Sequence, residues 1–211
     1  MFKLFSRRKE YPIKKLVQKT FGDELIIKNF NEGNIYINAS FITLTAAFMD
    51  MDMWNDDKFL RDYKKIINED ILAFEISIFD ICQVANILKK MQDEDDELPK
   101  LSQTILADIR KTTRFIGALY EKYYEGSAEY YENRILAYSE DSKSANLSFS
   151  FNLTNIKGAQ DFIGLKGKVR LDLKEQMEFI AYVGAHRSAT LHGLMESLNR
   201  VYEGPGYLNA K

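Results

Sequence analysis

From Ile71 to Leu88 apolar residues run almost without a break, interrupted by Glu75, Asp80, Gln83 and Asn86. The run is too long for an ordinary strand and has no single apolar stripe, as expected of a helix buried on most sides. Asn68 stands before it as a cap, Glu69 and Asp70 suit a first turn, and Lys89 and Lys90 suit a last turn, so a helix over 69–91 is predicted. The same grammar at Asn55-Asp56-Asp57 predicts a shorter helix over 56–67, with Trp54 and Phe59 as a hydrophobic staple.

Pro99 opens a further helix, in which Leu101, Ile105, Ile109, Ile116, Leu119, Tyr120 and Tyr123 share one stripe. The last helix is expected from about Lys174 to Tyr202, ending at Glu203-Gly204-Pro205-Gly206. A short helix is expected between Pro12 and Gly22. Two β-branched runs flanking Asn31-Glu32-Gly33-Asn34 read as a β-hairpin over 24–38. The stretch after it, Ala39 to Met51, is open between strand and helix, with Ala46 and Ala47 tilting it toward helix. Strict alternation at Leu147, Phe149, Phe151 and Leu153, and again at Val169, Leu171 and Leu173, predicts strands.

The expected fold is therefore α+β and predominantly α-helical. Five or six helices surround the buried helix at 71–88, with a small antiparallel sheet drawn from 24–38 and 147–173. No repeat divides the chain. Residues 1–11 read as a basic, aromatic N-terminal segment, 12–203 as a single globular domain and 204–211 as a tail.

Composition changes little in this picture. With 211 residues, 45% hydrophobic and 28% charged, the chain can bury a core without staples. Its one cysteine, Cys82, lies in the apolar run, which fits a buried thiol in a reducing cytoplasm. The net charge of −2 argues against a nucleic-acid partner. Charge is nonetheless uneven. Residues 1–20 hold Lys3, Arg7, Arg8, Lys9, Lys14, Lys15 and Lys19 against Glu10, while Asp50–Asp57 and Asp93–Glu97 are acidic and read as solvated loops. Phe2, Leu4 and Phe5 beside Lys3, Arg7, Arg8 and Lys9 suit weak contact with an anionic membrane face. No apolar stretch is suited to span a bilayer.

Motifs for chemistry are missing from the sequence. The acidic stretches lack the glycine and terminal glutamate of a calcium loop. His186 and His192 are six residues apart, a spacing that puts them on different sides of a helix, so no metal and no cofactor is expected. Two groups of residues remain as candidates for binding. One is the tyrosine cluster, with Tyr124, Tyr130 and Tyr131 as a partner surface. The other centres on Arg187, which falls within the apolar stripe of the last helix. Helical-wheel position makes Glu75 the wetter edge of its helix and Asp80 a buried acid in need of a partner, for which Arg187 is the natural choice. With His186 beside it, the same group could instead hold a small anionic ligand. The leading expectation is a non-enzymatic cytoplasmic binding, adaptor or regulatory protein working through protein contacts. A ligand-binding enzyme or sensor at Arg187 and a peripheral membrane protein led by residues 1–9 are the alternatives.

Overall fold

The computed structural model describes residues 15, 17, 23–56, 58, 61–62, 69–94, 100–123, 138 and 172–204. Helix α1 spans Asp23–Asn31 and α2 spans Ile35–Met53, which runs on into a 3₁₀ turn, Trp54–Asp56. Helix α3 is Glu69–Glu94, α4 is Lys100–Tyr123 and α5 is Leu173–Glu203. Helix α2 packs against each of α1, α3, α4 and α5, and α4 also packs against α3 and α5.

The buried helix expected at 71–88 lies inside α3, where every residue from Leu72 to Ala85 is buried. Helix α2 is nearly as enclosed. Ala39, Leu44, Ala47, Phe48 and Met51 enter the same core as Leu72, Phe74, Ile78 and Phe79 of α3, Ile116 of α4 and Leu198 of α5. Helix α4 is the one-sided member. Its Ile105, Ile116 and Leu119 are buried and its Arg110, Lys111 and Arg114 exposed.

The antiparallel sheet is overturned: none of the described residues lies in a strand. The hairpin expected at 24–38 is a pair of helices, α1 and α2, joined by Glu32-Gly33-Asn34. A turn does stand where the sequence signals one, but it joins helices and not strands. Gly33 adopts φ +71° just beyond α1. Its N–H donates to Phe30 O at 3.1 Å and the Asn34 N–H donates to Asn29 O at 2.6 Å, the two crossed bonds of a glycine-terminated helix. A side-chain pair then ties the two helices. Asn29 Nδ2 donates to Asn38 Oδ1 at 2.9 Å, and Asn38 Nδ2 donates to Ile26 O at 3.0 Å. Both asparagines are buried, so the bonds replace water that burial removed.

The strand expected at Val169–Leu173 ends inside a helix start. Asp172 and Leu173 are the cap and first residue of α5. Glu175 N–H donates to Asp172 Oδ1 and Asp172 N–H donates to Glu175 Oε2, both at 2.9 Å, a reciprocal capping box. Residues 147–171 lie outside the described residues, as do 1–14 and the remainder of the expected helix between Pro12 and Gly22 apart from the helical Lys15 and Val17. At the far end α5 stops at Gly204, with φ +88°, as the sequence there predicts. A Cβ at this position would stand 2.7 Å from Phe30 Cζ of α1. Gly204→Ala is expected to lower stability by about 1–3 kcal/mol, from strain at a positive φ that favours glycine and from the shift forced on Phe30. An unchanged urea midpoint would contradict that packing.

Candidate functional site

Three groups of buried polar side chains stand out among the described residues of the core. The first is on α3. Glu75 is 2% exposed, not the wetter edge that its wheel position suggests. The Tyr138 hydroxyl donates to Glu75 Oε2 at 2.6 Å. Tyr138 is itself fully buried. Its ring meets Phe79, one turn on from Glu75, edge to face at 5.6 Å and 84°. One tyrosine thus satisfies both an acid and an aromatic on adjacent turns of the same helix face.

The second group is also on α3. Asp80 is 0% exposed, with Ser77 and Gln83 buried a turn to either side. Ser77 Oγ donates to its own helix at Ala73 O, 2.6 Å away. Gln83 Nε2 is buried and donates no hydrogen bond among the described residues. Asp80 stands five positions after Glu75, so the two acids leave the helix axis about 140° apart. They do not converge as a catalytic pair would. Cys82 lies beside this group. Burial pushes its thiol up to about 12, opposed by the Lys89 charge and assisted by the Asp80 charge. A thiol of this kind is inert. It should resist iodoacetamide at pH 8 in the native protein and react only as fast as the protein opens. Rapid native alkylation would contradict its burial. The raised value also has a stability consequence. The folded state keeps the proton that the unfolded chain loses, so this contribution is complete below the unfolded thiol's ordinary range near 9 and is lost as pH rises toward 12.

The third group joins α2 to α5. Asp50 is 1% exposed and accepts a bond from Thr190 Oγ1 at 3.3 Å. The sequence pattern suggests a solvated acidic loop at Asp50–Asp57. Instead Asp50 closes the last buried turn of α2, and Trp54, which follows it, is buried as well. Asp52 and Asp56 are exposed members of that stretch. The signal is present in the sequence: Asp50 falls three residues after Ala47 and seven after Thr43, on the small-residue face of α2.

A further cluster, at the rim, has no counterpart among the sequence expectations. Asp108 of α4 accepts from Lys111 Nζ at 2.7 Å and from the Tyr202 hydroxyl of α5 at 3.3 Å. Lys111 Nζ also lies 6.0 Å from the centre of the Tyr36 ring of α2. Burial first, then the Asp108 charge and hydrogen bond, raise the Tyr202 hydroxyl far above its usual range, against a bond to Thr112 that lowers it. The Asp108 hydrogen bond and charge hold the exposed Lys111 ammonium above its usual 10.5. The cluster fastens three helices at one end and leaves Lys111 in solvent.

Of the residues singled out from sequence, the structure buries Glu75 and Asp80 on different sides of α3. His186 and Arg187 lie within α5, four and three residues before Thr190, and their side chains are outside the described residues. The Asp80–Arg187 pairing and the anionic-ligand group therefore fall outside what the structure describes. So do Tyr124, Tyr130 and Tyr131, and Phe2, Lys3, Leu4, Phe5, Arg7, Arg8 and Lys9. Among the described residues no three His, Cys, Asp or Glu side chains gather as metal ligands would. No described helix is long and apolar enough to cross a membrane.

The described surface carries a feature of a different kind. Leu173 is 75% exposed and Met177 56% exposed. They stand at i and i+4 on the first two turns of α5, with exposed Ala181 the next residue in the row. Asp172, Lys174 and Glu178 are exposed around them, and Lys174 Nζ approaches Glu178 Oε1 at 3.8 Å. From Leu194 to Tyr202 the same helix is packed into the core at Leu194, Leu198, Val201 and Tyr202. Comparison with protein families, with curated proteins and with solved structures found no match to this chain.

Proposed function

We propose that this protein acts by binding another protein through the exposed apolar row at the start of α5, rather than by catalysis. The observation that carries the reading is the pair Leu173 and Met177, apolar residues that α5 holds out to solvent at 75% and 56% exposure. Single exposed apolar residues are ordinary. Two at adjacent turns of one capped helix form a row of the kind a partner's groove takes up. The polar interior supports the same reading from the other side. Glu75 and Asp50 each accept a bond from a side chain of this chain, as acids with a structural role do.

The test compares wild type with Leu173→Glu/Met177→Glu as baits in native extract. Both side chains are exposed, so the variant should unfold at the wild-type temperature within about 0.5 kcal/mol of stability. A stoichiometric partner recovered by wild type should be lost from the variant, with affinity lowered at least about thirtyfold if the row is central to the contact. A partner retained equally by both baits would end the proposal for this surface.

A further inference from the structure

We draw no further inference here: the strongest candidate, the apolar row of Leu173 and Met177 with its charged rim at the start of α5, is the surface already proposed for binding, and nothing in the structure shows what covers it.

Discussion

Tyr138→Ala is expected to cost about 4 kcal/mol of stability, a large share of what holds a domain of this size folded. The side chain is among the largest that are fully buried. Removing an aromatic ring of this kind from a core costs about 3–5 kcal/mol through lost transfer energy and the cavity left behind. Its hydroxyl adds a second contribution, separable from the first. Tyr138→Phe keeps the edge-to-face contact with Phe79 and removes the hydroxyl that donates to Glu75 Oε2. That change should cost about 1–3 kcal/mol, the worth of a buried hydrogen bond to a carboxyl group. In a Glu75→Leu background the same Tyr138→Phe change should cost less, because that acceptor is already gone. The coupling between the two sites, read from urea midpoints, should reach about 1 kcal/mol or more. Equal stability of Tyr138→Phe and wild type, with no coupling, would mean that the bond is not a stabilising feature of the folded state.

The Tyr138–Glu75 bond also shows what a local pattern cannot carry. Nothing within Ile71–Leu88 distinguishes a wet acid from one covered by a residue 63 positions away. On a helical wheel Glu75 falls with Asn86 and Gln83, an arc that looks exposed. In fact Gln83 is buried and Asn86 half-buried, and α3 is enclosed on all sides through Ala85. For a helix surrounded by others, polar residues report where internal partners sit and not where water is. Asp80 is legible because its wheel neighbours are apolar, and the structure buries it completely.

The later helices α4 and α5 are readable from sequence and the early α2 only in part: its Ala39–Met51 stretch leans toward helix, as the structure has it, while its first residues, up to Asn38, read as a strand. Pro99 and the apolar stripe after it place the start of α4 one residue from Lys100, and the terminal Gly204 places the end of α5 within a residue. Those signals rest on caps and on one-sided burial, which leave a 3.6-residue period in the sequence. Helix α2 has neither. It is apolar or small on nearly every side, so its period vanishes, and Ile35, Ile37, Ile42, Thr43 and Thr45 carry β-like propensity. Burial overrides that propensity, and the hydroxyls remove a second obstacle. Thr43 Oγ1 donates to Ala39 O at 2.8 Å and Thr45 Oγ1 to Phe41 O at 2.9 Å, so each polar group is satisfied within the helix. The turn before it, Asn31 to Asn34, suits a helical pair as well as a strand pair, since both need a residue with positive φ.

Ser40→Leu should cost about 3 kcal/mol, and Ser40→Ala less than about 1 kcal/mol, a contrast that tests how α2 and α4 meet. Ser40 is fully buried, and its Oγ lies 2.6 Å from Tyr36 O on its own helix and 3.1 Å from Thr112 O on α4. A side-chain oxygen this short can reach a carbonyl of the facing helix only where the two backbones run close. Ser40, Thr43 and Ala47 recur at i, i+3 and i+7 on α2, and Thr112, Thr113 and Gly117 are buried on α4, so small residues stand on both helices. Carbonyl oxygens have two lone pairs, and both of these retain their helical partner when the hydroxyl is removed. Alanine therefore loses one shared hydrogen bond and little else. Leucine must either push α4 away or take a strained rotamer, and pushing α4 away would loosen the edge contacts that Phe115 makes with Tyr36 at 6.2 Å and Phe41 at 5.8 Å. The two variants should thus differ by more than about 2 kcal/mol in urea unfolding with unchanged slope, about the cost of overpacking a core. A leucine variant as stable as the alanine variant would show that the helices leave room at this level, and the close approach of α2 and α4 would have to be given up.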